Sequence, residues 1–183
     1  YIMPGVGGRE LSRENALETA DVLNRIRPDF IRVRTFALPP DSPMERMADA
    51  GRFTPMNELE IVAEIRELLR HLEEMPTHFR CADFSLNLLM HVDGYLDRDR
   101  SRMLEDLDSF LSLSELDQKS YVLLQRSGHY GVDPSEMLNH PDLMSQLHNK
   151  IEELDGGNEN GFNRYIRAMM AGQLPRPQTG SWA

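Results

Sequence analysis

One cysteine, one tryptophan and no long apolar run are what this 183-residue chain is shortest of. A lone Cys81 excludes an internal disulfide and any cysteine cluster within the chain. That poverty of thiols suits a reducing compartment, so a cytoplasmic location is expected. No stretch nears the ~20 apolar residues a membrane-spanning helix needs, and the first residues lack the charged and apolar regions of a signal peptide. Basic residues are outnumbered, 20 against 30 acidic, for a formal charge of −10. A surface of that sign repels phosphate backbones and anionic lipid, so neither nucleic acid nor membrane is an expected partner. His78, Cys81, Asp83 and His91 match no standard zinc spacing, and no metal site is expected from them. Glu67 and His71 stand four apart on a helical pattern, where a solvated pair is the plain reading.

What is present is organised around the first thirty-six residues, which read strand, glycine turn, helix, strand. Tyr1–Pro4 is an apolar run, Gly5-Val6-Gly7-Gly8-Arg9-Glu10 a glycine-rich turn, and Phe30–Phe36 alternates with period two. Together they make the pattern of one βαβ unit with a right-handed crossover. The intervening helix has Ser12 as N-cap, an apolar face through Ala16, Ala20 and Leu23, and Pro28 as its stop. The turn is either a bare tight turn or a loop whose freed N–H groups hold an anion or nucleotide; the third glycine of the dinucleotide fingerprint is missing. Arg32 and Arg34 share one face of their strand. They are solvent-facing at an edge, or, in a parallel barrel, directed into a ligand site at the strand ends.

A proline-rich loop, Leu38 to Pro43, leads to a short helix from Met44 to about Ala50. Thr54 and Pro55 are expected to open the strongest helix, with Ile61, Ile65, Leu68 and Leu72 inward and Pro76 as its end. Thr77–Ala82 reads as a third strand. After Gly94 the pattern is helical, with Asp97, Ser114, Asp133 and the Asn139-His140-Pro141 run as helix starts, and a Gly/Asn linker, Gly156 to Gly161, before a last helix. The 11 methionines suit adaptable packing.

The strings IMPGVGGRE, ENALETADVLNRIRPDF and IRVRTFALPPDSPMERMADAGRF resemble the C-terminal half of the core domain of radical S-adenosylmethionine enzymes, closest to the branch of Fe–S oxidoreductases like oxygen-independent coproporphyrinogen oxidase. The family's "PGTPL" loop stands here as Pro40-Asp41-Ser42-Pro43-Met44. The resemblance covers about the first 100 residues. It implies an α/β fold, a fragment of a partial (β/α) barrel with two to three parallel strands in residues 1–93; the residue pattern beyond gives an all-helical extension in 94–172 and a flexible tail in 173–183. It also implies that Gly5, Gly7, Gly8 and Glu10, with Arg32 and Arg34, touch S-adenosylmethionine, and that Asp83 and Asn87 face the barrel mouth.

Such enzymes hold a [4Fe–4S] cluster on a Cys-x3-Cys-x2-Cys loop and cleave adenosylmethionine by one electron to a radical that abstracts hydrogen. Thiolates are required for the cluster, and this chain has one cysteine. The expectation is therefore a C-terminal fragment, inactive alone and without bound cofactor, whose partner is the missing N-terminal half of the same protein. Self-association through the exposed sheet edge is expected too. The alternative is a non-enzymatic helical module that binds another protein through its acidic helices.

Overall fold

The computed structural model describes residues 1–83, 86–156 and 160–173. Within them the chain is a mixed α/β protein dominated by helix. The elements are α1 (Gly8–Ile26), β1 (Phe30–Arg32), α2 (Pro43–Asp49), α3 (Glu58–His71), β2 (His78–Arg80), β3 (Asp93–Tyr95), α4 (Arg100–Leu111), α5 (Glu115–Arg126), α6 (Pro134–Leu138), α7 (Pro141–Asp155) and α8 (Gly161–Gln173). Most of the expected tail, 174–183, and the middle of the expected Gly/Asn linker, 157–159, lie outside the described residues.

β1 and β2 run parallel, with Phe30 opposite His78, and β3 returns antiparallel on the far side of β2. The first residues lie along the other edge of β1. Ile2 pairs in parallel with Val33, Ile2 N–H donates to Arg32 O at 3.0 Å, and Phe36 N–H donates to Pro4 O at 2.8 Å. Three chain segments thus run side by side in one direction, and their C-terminal ends meet at Pro4, Phe36 and Asp83. One sheet face is apolar: Ile31, Val33, Phe79 and Cys81 join the core with Ala16 and Ala20 of α1 and Ile65, Leu68 and Leu69 of α3. The opposite face carries Phe30, Arg32, Arg34, Arg80 and Tyr95, and these side chains remain partly or largely in solvent. That division follows from the period-two alternation of β1.

Three helix starts differ from the sequence expectation. α1 begins at Gly8, with Gly7 as an N-cap that has no side-chain cap; Ser12 lies inside the helix. The first-turn donor of Arg9 is satisfied instead by Thr54 O at 3.0 Å. That bond, together with the Thr54 hydroxyl donating to Glu10, removes Thr54 from the start of α3. The N-cap of α3 is Asn57, in a reciprocal capping box with Glu60: Asn57 Oδ1 accepts from Glu60 N–H at 2.9 Å, and Glu60 Oε2 accepts from Asn57 N–H at 2.7 Å. α4 begins after Asp99 rather than Asp97, because residues 96–99 form a turn leaving β3, in which Asp99 accepts the Tyr95 N–H at 2.7 Å. Ser114 and Asp133 cap α5 and α6 as their spacing predicts.

The core is continuous across the expected boundary at residue 93. Met103, Leu107 and Phe110 of α4, Tyr121 to Leu124 of α5, Ile151 of α7 and Phe162 and Ile166 of α8 belong to the same buried cluster as the sheet. A buried ion pair fastens the two parts: Arg126 of α5 lies 2.5 Å from Glu58 of α3 and also donates to Leu86 O at 2.9 Å. Burial pushes the Glu58 carboxyl above its ordinary value, against the pull of Arg126.

Candidate functional site

The C-terminal ends of the parallel segments are held together by one side chain. Asn87, 2% exposed, accepts from Thr35 N–H and Thr35 Oγ1, each at 3.0 Å. It donates to Val33 O and to Cys81 O, each at 2.8 Å. All four hydrogen bonds go to the residues just beyond the ends of β1 and β2. Asn87 therefore does not open onto a cavity mouth, as expected of it, but stitches the strand ends. Its neighbour Asp83 does meet the open face. Asp83 Oδ2 sits 3.4 Å from Arg34 Nε and 3.6 Å from Arg32, with its side chain 11% exposed and both arginines near 40%. The Arg32 guanidinium also lies over the Tyr1 ring at 5.8 Å. The two arginines are thus on the partly exposed sheet face, converging on one carboxylate.

The glycine turn is differently placed. Gly5 N–H donates to Glu64 Oε1 at 2.9 Å, Val6 N–H to Met3 O, Gly8 N–H to Gly5 O and Arg9 N–H to Thr54 O. Gly8 has φ +64°, and a Cβ there would meet the Phe53 ring at 2.8 Å and Thr54 O at 2.9 Å, so packing and backbone conformation account for this glycine. Glu10 lies beside the turn, where the Thr54 hydroxyl holds its carboxyl below the usual range. The space beside Gly5 is a cavity of about 30 Å³ walled by Phe36, Leu38 and residues of α3 and α8. The N–H groups of Gly5, Val6, Gly8 and Arg9 are spent within the protein and the cavity beside Gly5 is small, which leaves little room there for adenosylmethionine; the arginine pair, exposed and cationic, fits an anionic group.

Metal chemistry finds no cradle here: among the described residues no three His, Cys, Asp or Glu side chains cluster to hold an ion. Cys81 is buried, and burial with the charges of Asp93 and Asp83 pushes its thiol far up. A lone buried thiol does not fit an iron–sulfur cluster. His71 is engaged locally, its Nδ1 2.8 Å from Glu67 O.

Three features have no counterpart in the sequence reading. His78 Nε2 lies 2.8 Å from Asp93 Oδ1, and its ring stacks on Tyr95 at 4.9 Å and meets Phe30 edge-on at 5.5 Å. This cluster depends on β3, a three-residue strand with glycine at its centre and too short for a periodic signal. Glu64, 4% exposed, ties the glycine turn to Asn15 through Oε1 at 2.8 Å. Its position on α3 reads as one more acid on a charged helix. Arg126 reads as a helix-terminal cation, and only its pairing with Glu58 reveals it as buried.

No family model matches the sequence, and no curated protein or solved structure matches it either. No helix among the described residues is long and apolar enough to cross a membrane.

Proposed function

We propose that this chain is one wall of the cofactor and substrate cavity of a radical S-adenosylmethionine oxidoreductase, from a partial barrel completed by a further part of the same protein. The observation that carries the reading is the sheet itself: three segments in one direction, with Arg32, Arg34 and Asp83 at their C-terminal side on the face where both arginines stay partly in solvent. Ligand sites of parallel sheets lie at those strand ends. Adenosylmethionine, when held with a reduced cluster, would supply a hydrogen-abstracting radical. This chain's residues do other things. Arg32 and Arg34 bind and orient an anionic group, Asp83 sets their geometry, and Asn87 keeps the strand ends in register. The cluster belongs to the completing part, because Cys81 is buried and alone.

The test is the coding sequence on the 5′ side in the same reading frame. A Cys-x3-Cys-x2-Cys triplet there supports the reading, and a start codon immediately before Tyr1 overturns it. A second reading, a non-enzymatic helical module, rests on α1, whose Leu11, Val22 and Ile26 are 52%, 51% and 65% exposed and offer an apolar face to a protein partner.

A further inference from the structure

The sheet face that carries Arg32 and Arg34 holds a third guanidinium beside them. Arg80 of β2 stands in register with Arg32 of β1, and their neighbours Ile31 and Phe79 are buried on the opposite side, so both arginines rise from one face. Strand geometry sets their backbones about 5 Å apart, with Arg34 about 7 Å beyond Arg32 on the same side. Arg80 is exposed, and no hydrogen bond or ion pair engages its side chain among the described residues. Arg32 and Arg34 approach a single oxygen of Asp83 at 3.6 and 3.4 Å, longer than a good hydrogen bond. Each guanidinium has five N–H donors, so most of the fifteen or so are uncommitted. The other acids of this face are engaged elsewhere. Asp93 stands opposite Arg80 in β3, yet its Oδ1 lies 2.8 Å from His78 Nε2 and its Oδ2 is buried. Asp97, at the rim, lies 3.5 Å from Arg98, whose guanidinium covers the Tyr95 ring. Counted in full, Arg32, Arg34, Arg80 and Arg98 outnumber Asp83, Asp93 and Asp97, on a chain whose formal charge is −10.

We propose that Arg32, Arg34 and Arg80 form a receptor for the phosphate group of a small phosphomonoester. A carboxylate is planar and is satisfied by one guanidinium fork, whereas three forks from two strands suit a tetrahedral anion with several acceptor oxygens. The three aspartates in and around the patch, and the acidic chain beyond it, oppose the flanking phosphates of a polynucleotide. One phosphate group on a small molecule meets the arginines without that penalty. The arginines lie toward the C-terminal ends of the parallel strands, the side where such sheets bind ligands. The inference rests on the anion-binding role of Arg32 and Arg34 proposed above; it names phosphate as the group this face prefers and adds Arg80 to the site.

The experiment is calorimetric titration of the full chain with methyl phosphate at constant ionic strength and about pH 7.5, where the phosphate is mostly dianionic, beside sodium acetate and a short single-stranded oligonucleotide. The expected result is saturable binding of methyl phosphate with a dissociation constant on the order of 1 mM, with acetate ~10-fold weaker or more and no tighter binding of the oligonucleotide. Arg80→Gln is expected to weaken methyl phosphate by ~5-fold or more, whereas Arg98→Gln, which removes the same charge from the rim of the same face, should weaken it by less than ~2-fold. The proposal is overturned if methyl phosphate does not bind, if acetate binds as well, if the oligonucleotide binds more tightly, if Arg80→Gln has no effect, or if Arg98→Gln weakens binding equally. Should Arg80→Gln fail to fold, Arg80→Lys, which keeps the charge and loses the fork, replaces it with the same expected weakening. Binding of methyl phosphate without binding of S-adenosylmethionine would sink the cofactor reading and leave this one standing; the reverse result would do the opposite.

Discussion

Asn87 is the residue on which the strand ends depend most. Replacing it with alanine would leave Thr35 N–H, Val33 O and Cys81 O unmatched in a site that water does not reach. Each buried orphan costs about 1–3 kcal/mol, so Asn87→Ala is expected to destabilise by about 3 kcal/mol or more in urea unfolding. Asn87→Asp should be no better, since it sets a carboxylate oxygen against two carbonyls. A loss under about 1 kcal/mol would show that the stitch is dispensable. Cys81, buried and with its thiol pushed up, is expected to resist alkylation in the folded chain and to react at the rate of global opening. Fast labelling in the absence of denaturant would contradict its placement. Asp133 supplies a titration. Its carboxylate accepts from Ser135 N–H at 2.8 Å and from the Ser135 hydroxyl at 2.5 Å, which lowers its pKa. The folded value lies below the unfolded one, so the stabilisation is complete above the unfolded value near 4 and disappears as pH falls through the folded value. Asp133→Ala should cost about 1 kcal/mol at neutral pH and nothing measurable once the carboxyl is protonated.

Among the elements, the joint between α3 and α5 is the sharpest case of buried charge. Removing either Glu58 or Arg126 strands the other in the core, and each single substitution is expected to cost about 3–5 kcal/mol. The pair Glu58→Leu with Arg126→Met should cost much less than the sum, as a double-mutant cycle would read out. Additive losses would mean that the two groups do not act as a unit. The same element scale shows how far a sequence can be read. β1 announced itself by alternation and α3 by its Ile61, Ile65, Leu68 stripe, because both patterns reflect a single buried face. The start of α3 did not, because Thr54 and Asn57 are equally good caps until tertiary contact with Glu10 and Arg9 removes the first. β3 was invisible because three residues carry no period. Arg32 and Arg34 were legible as a pair on one face, whereas Glu64 and Arg126 each look like ordinary surface charges, and only long-range packing buries them.

At the scale of the whole molecule, an acidic chain keeps a cationic sheet face and an apolar edge. Tyr1, Met3, Val6, Val22, Ile26 and Phe30 are all exposed and flank one groove of about 620 Å³ beside the outer sheet edge. Surfaces of that kind recruit partners, so the isolated chain is expected to self-associate at ~100 μM in sedimentation equilibrium. A monomer under those conditions would show the edge to be inert. The central claim, that Arg32 and Arg34 on the open face hold an anionic group such as the carboxylate of S-adenosylmethionine, is tested most directly by calorimetric titration of the chain with S-adenosylmethionine beside an Arg32→Ala/Arg34→Ala variant. The account predicts weak binding, with a dissociation constant on the order of 1 mM, that the variant loses. No binding by the wild type, or the same affinity in the variant, would contradict it.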